Sequence, residues 1–218
     1  MKIISFEKTV LLKLGVLSRA EGQIYLPELI AAMTEKFHFV KFPDLSSIND
    51  DNSGGLQFFQ GKFKNFAIDS LGIFSDGVVI KSNTNTSNLD DLALFIERWA
   101  KKEFGVEFIP SSSASTIYES NIVVQSASDS VWKAFQKLGK IEKSIASKLT
   151  KDSNMAATYS LASFALWVET CQIDSFKPAP FRFERRAGAE KKLGQFFSTA
   201  PLTTASHLEL LNELESLA

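Results

Sequence analysis

Apolar positions recur along this chain in two rhythms, separated by polar stretches at residues 46–55, 82–88 and 110–116. Clusters of Ser, Thr, Asn and Gly favour turns, because their side chains compete for backbone hydrogen bonds and glycine tolerates positive φ. Before the first stretch, residues 27–37 are predicted to be a helix. Pro27 suits the first helical position, and Leu29, Ile30, Met33 and Phe37 share one face. Strand-like runs follow at 56–59, 66–74 and from 78 onward. Ser75-Asp76-Gly77 between two of them reads as a hairpin turn that needs φ > 0. The clearest helix comes next. Ser87 or Asn88 is the expected cap, with Asp90 and Asp91 in its positive first turn. Leu92, Phe95, Ile96 and Trp99 form the apolar stripe, Lys101 and Lys102 lie near the negative end, and Gly105 ends it.

After the third stretch the grammar recurs loosely, without a convincing repeat in the residues themselves. A strand is expected at 117–125. A long helix from Asp129 or Ser130 to about Leu149 follows, with Val131, Phe135, Leu138, Ile141, Ile145 and Leu149 facing one way. Residues 159–168 read as a strand, although their Ala and Leu also suit a helix. A strand at 181–186 and a last helix from Thr203 or Thr204, carrying Leu208, Leu211, Leu214 and Leu217, complete the pattern. Strand groups separated by helices, rather than strict alternation, predict an α+β fold. The expected sheet is antiparallel or mixed, with helices packed mainly on one face. The whole of 1–218 is expected to be one α+β domain, or two halves (1–109 and 117–218) joined by the Ser-rich loop 110–116.

Composition narrows this only in part. At 44% hydrophobic and 22% charged residues, the 218-residue chain is ordinary globular material and long enough for a sizeable core. The 19 Phe stand out against three Tyr and three Trp. Phe has no polar handle, so a Phe-rich core is the first expectation and an aromatic surface the second. The start of the chain carries charges at Glu7, Lys8 and Lys13, no long apolar run and no small-residue cleavage site, unlike a signal peptide. No stretch approaches the length of a membrane-spanning helix. The single Cys171 admits no internal disulfide, and with only His38 and His207 there is no zinc cluster of usual spacing. A cytoplasmic location is expected.

Catalytic motifs are incomplete. Gly55 to Phe63 resembles a phosphate-binding loop, but five residues separate its glycines and Phe63 stands where Ser or Thr would hold Mg²⁺. Gly72 to Gly77, with Ser75 inside, is one residue too long for a nucleophile elbow and falls in a predicted hairpin. His207 is the one plausible base outside the N-terminal region. Cys171 has no basic neighbour in sequence to make it a thiolate. Asp69, Asp76, Asp90, Asp91 and Glu97 gather around the central hairpin and helix, which supports a metal-dependent hydrolase only as a third reading. Neither a cofactor nor a metal is expected.

Charge is more informative. The net charge is −1, yet Lys133, Lys137, Lys140, Lys143, Lys148 and Lys151 crowd the long helix. Arg182, Arg185 and Arg186 follow on a strand, with Lys191 and Lys192 just beyond. Alternation turns Arg182, Glu184 and Arg186 one way and Phe181, Phe183 and Arg185 the other. From Leu193 to Ala218 there is no Lys or Arg, while Glu209 and Glu213 stand at i, i+4, where like charges repel. The expected function is therefore a non-enzymatic interaction or assembly protein. It would be a homo-oligomer or a subunit of a larger complex, binding itself or another protein. The alternative is a nucleic-acid-binding accessory protein that contacts phosphates through the same lysines and arginines.

Overall fold

A computed structural model describes residues 1–19, 25–44, 55–110, 116–126, 139–153, 155–158, 161–169, 178–186 and 194–216. They contain four helices and nine strands with antiparallel pairing, an α+β fold. The order is β1 (Lys2–Arg19), α1 (Leu26–Phe37), β2 (Leu56–Phe63), β3 (Phe66–Phe74), β4 (Gly77–Ser82), α2 (Thr86–Phe104) and β5 (Val106–Pro110). Then come β6 (Thr116–Gln125), α3 (Gly139–Ser153), β7 (Ser163–Leu166), β8 (Phe181–Arg185), β9 (Gln195–Ala200) and α4 (Thr204–Ser216). The residues group into two compact units. One holds Phe6–Ser120 with Leu202–Thr204, and the other holds Met1–Ser5, Asn121–Pro201 and Ala205–Ala218.

Among the described residues, element order repeats between the halves of the chain. β1-α1-β2-β3-β4-α2 and β6-α3-β7-β8-β9-α4 both spell β-α-β-β-β-α, with β5 inserted between them. The sheet neighbours match as well, β2-β3-β4-β1 in one set and β7-β8-β9-β6 in the other. Thr86 and Thr204 stand at equivalent helix starts, 118 residues apart.

In the first unit β3 pairs with β4 from Ser70 opposite Lys81 to Phe74 opposite Gly77, leaving Ser75 and Asp76 as the hairpin loop. Neither Ser75, Asp76 nor Gly77 has positive φ, contrary to the expectation for this turn. Gly77 is needed for a different reason: a Cβ there would lie 2.3 Å from the Lys13 carbonyl oxygen of the adjoining β1. β1 pairs with β4 through Thr9–Leu14 and with β5 through Gly15–Arg19.

The core of this unit is aromatic. Phe37 on α1 touches Phe39, Phe63 on β2, and Phe95 and Trp99 on α2 at centroid distances of 5.9–6.2 Å. Both helices therefore cover the same face of the sheet. Phe37 and Phe58 are fully buried, with Phe39 and Phe63 nearly so, which places these phenylalanines in the core. The cap of α2 lies upstream of its expected position: the Asn85 side chain accepts from the Asn88 N–H at 2.9 Å. Asp90 and Asp91 consequently fall beyond the first turn. Gly105 ends α2 as expected, at φ +65.

In the second unit β8 pairs with β7 on one side and β9 on the other, with Phe183 opposite both Phe164 and Ser198. Phe183 and Phe196 stack 4.7 Å apart in the interior. The Met1 nitrogen donates to Glu215 at 2.7 Å, and Ser126 donates to the same carboxylate. No helix among the described residues is long and apolar enough to cross a membrane.

Candidate interaction surface

In the second unit, side chains that chain periodicity would bury are exposed instead. The apolar stripe expected on the long helix fails at Ile141 and Ile145, which are 57% and 42% exposed. The inward line of α3 is Glu142, Ala146 and Leu149, all half-buried. Glu142 on that line accepts the Leu161 N–H at 2.7 Å. An apolar run fixes the face of a helix only when it has a core to meet.

Cations flank that exposed edge. At about 100° per residue, Lys140, Lys148 and Lys151 fall within roughly a quarter turn of one another, and Ile141 adjoins them. All three lysines are exposed, as is Lys143 further round the helix. Lys133 and Lys137 lie outside the described residues, as do Cys171, Lys191 and Lys192.

The β7–β8 hairpin carries a second group of exposed side chains and is tied to α3 through Leu161. Leu161 meets Glu142 of α3, and the adjoining Ala162 carbonyl accepts the Arg185 N–H at 2.9 Å. The first turn of α3 and the end of β8 thus flank the same two residues. On β8 the alternation is as expected: Arg182, Glu184 and Arg186 are exposed, whereas Phe183 is buried and Phe181 and Arg185 are half-buried. Trp167, just past β7, is 70% exposed, and the Arg182 guanidinium lies 5.7 Å from its ring centroid. Leu166 and Val168 beside it are exposed too. Sequence reading missed these three, because three bulky apolar residues in a row look like a buried strand. The four-residue β7 lies at the end of its set of strands, so one of its edges is unpaired within that set.

Acidic residues occupy α4. Glu209 and Glu213 are both exposed and within about 40° on the helix, with half-buried Leu210 adjoining them. Among the described residues no ion pair joins them to Lys140, Lys148 or Lys151. Glu215 is engaged by Met1 and Ser126.

The catalytic candidates are placed differently. Asp90 accepts the Tyr118 hydroxyl at 2.7 Å, and burial together with that bond pushes the phenol up to about 12. Asp91 faces Lys64 at 3.5 Å, and Glu97 pairs with Lys13. Among the described residues no three His, Cys, Asp or Glu side chains gather closely enough to hold a metal. The stretch from Leu56 to Phe63 that resembled a phosphate loop is β2, a strand paired with β3, in which the Phe59 N–H donates to the Lys41 carbonyl and Gln60 has φ 58.

His207 does meet a serine, but not Ser75. Its Nε2 lies 2.8 Å from Ser198 Oγ, with both residues fully buried. Ser198 donates its only hydroxyl proton to the Arg182 carbonyl at 2.9 Å. The imidazole proton is thereby placed on Nε2, donating to the serine, which is the reverse of a base activating a nucleophile. Burial pushes His207 down to about 4, so the ring is neutral near pH 7.

The fold and this surface define an α+β protein with a repeated β-α-β-β-β-α order and an exposed basic and apolar face. No family model, curated protein or solved structure matches the chain.

Proposed function

We propose that this chain is a non-enzymatic assembly protein that binds protein through the surface made by α3 and the β7–β8 hairpin. The observation that carries the reading is the exposure of Ile141 and Ile145 on α3 beside Lys140 and Lys148, which enter no ion pair among the described residues, together with the exposure of Leu166 and Trp167 at the end of β7. Exposed apolar groups with polar rims are typical of interaction sites. Aromatic and Arg side chains are favoured anchors there, and Trp167 with Arg182 supplies both. The surrounding cations steer the approach of an acidic partner and fix its register more than they add affinity.

A second reading keeps single-stranded nucleic acid as the partner, because an exposed Trp beside Arg and Lys can stack on a base while the cations meet phosphates. The aliphatic side chains favour protein: Ile141, Ile145 and Leu166 have nothing to offer a phosphate backbone.

Light scattering on the eluting protein, with absorbance at two wavelengths, separates these readings. Under the assembly reading the purified protein, or its complex with a defined protein partner, runs above the monomer mass with a protein-like spectrum. Ile141→Glu with Ile145→Glu weakens that association about tenfold or more, an effect of roughly 1.4 kcal/mol. Association unaffected by the double change would exclude this surface. A nucleic-acid spectrum that high salt strips away would move the second reading to first place.

A further inference from the structure

Resting on that reading, we infer that the occupant of the α3 surface is the acidic face of α4 from a second copy of the chain. Three observations point to it. First, the charges are complementary and unspent. Lys140, Lys148 and Lys151 form one exposed row, Glu209 and Glu213 form another, and no ion pair among the described residues uses either. Second, each row carries an apolar neighbour of the right kind. Ile141 adjoins the lysines and is more than half exposed, while half-buried Leu210 adjoins the glutamates. Helices that meet along such seams bury the apolar contacts and keep the ion pairs at the rim. Third, α4 has no basic residue of its own to offset its acid. Glu209 and Glu213 repel one another at i, i+4, and a cationic surface laid across them removes that cost.

The two faces are different surfaces of one chain, so the contact is head-to-tail. Each copy offers its α4 to one neighbour and its α3 to another. Such heterologous contacts build a ring where the rotation closes and an open filament where it does not. Screening of the rim makes the association weaken as salt rises.

Two charge-reversed proteins test the pairing. One carries Lys140→Glu, Lys148→Glu and Lys151→Glu; the other carries Glu209→Lys and Glu213→Lys. All five positions are exposed, and circular dichroism verifies that each variant is folded. The wild-type protein is expected to associate in a concentration-dependent way, and each variant alone to associate at least about tenfold more weakly. Mixed in equal amounts, they should regain assembly, because a reversed α3 can then meet a reversed α4. If the mixture stays monomeric, or the wild type is monomeric at all concentrations, the inference is overturned. If the α4 variant assembles like the wild type while the lysine variant does not, α4 is not the occupant and the inference falls. The proposed α3 surface survives that last result, so the two failures can be told apart.

Discussion

Phe37→Ala is expected to cost the first unit about 3–5 kcal/mol. Phe37 is fully buried and its ring meets Phe39, Phe63, Phe95 and Trp99. Truncation removes the transfer free energy of the ring. It also leaves a cavity where α1, β2 and α2 meet, which rigid aromatic neighbours cannot fill. Phe59→Ala, at an exposed position of β2, is the matched control and should stay within about 1 kcal/mol. Urea denaturation of both variants checks the difference. A Phe37→Ala loss no larger than that of the control would mean the aromatic cluster is not the centre of this core.

Acid should weaken the second unit through His207. Its folded value of about 4 lies below the ordinary 6.5 because the ring is buried. Between those values the unfolded chain takes up a proton that the folded chain refuses, so stability falls as pH falls. The contribution is complete above about pH 6.5, declines through the window down to about pH 4, and changes no further below it. The full loss is on the order of 3 kcal/mol, because each tenfold difference in proton affinity between the two states is worth about 1.4 kcal/mol. His207→Gln does not titrate there and can still donate to Ser198. The variant should show a flatter stability profile across that window whatever its stability at neutral pH. Identical slopes for wild type and variant would remove His207 as the cause.

Much of the architecture is legible in the residues. The strands at Phe66 and Phe181 and the stop of α2 at Gly105 follow from period and capping, while the Ser75-Asp76-Gly77 turn stands where expected but without the positive φ. The 18-residue β1 is not, because Val10-Leu11-Leu12 and Leu14 form an apolar run without alternation, and such a run does not distinguish strand from helix. Short β5 and β9 are missed for a related reason: five or six residues are too few to set a period of their own. The cap of α2 slips to Asn85 because several capping residues stand in a row, and only the backbone geometry chooses among them.

The candidate surface is legible by halves. Its charge is written plainly in Lys140, Lys148, Arg182 and Arg186, since long cationic side chains stay in water. Its apolar part is hidden, because Ile141, Ile145 and Trp167 are residue types that normally point inward. Their outward placement is visible only in the folded chain, where all three are exposed. The Ser198–His207 pair illustrates the opposite effect: two residue types associated with catalysis sit in the interior, bonded in the order that deprives the serine of its base.

Amide hydrogen exchange at dilute and concentrated protein tests the central claim most directly. Peptides spanning Gly139–Ser153 and Thr204–Ser216 are expected to exchange more slowly at high concentration, while those of α1 and α2 do not change. Uniform exchange in α3 and α4 across a concentration range where the particle mass rises would contradict it, since the copies would then be meeting through other surfaces.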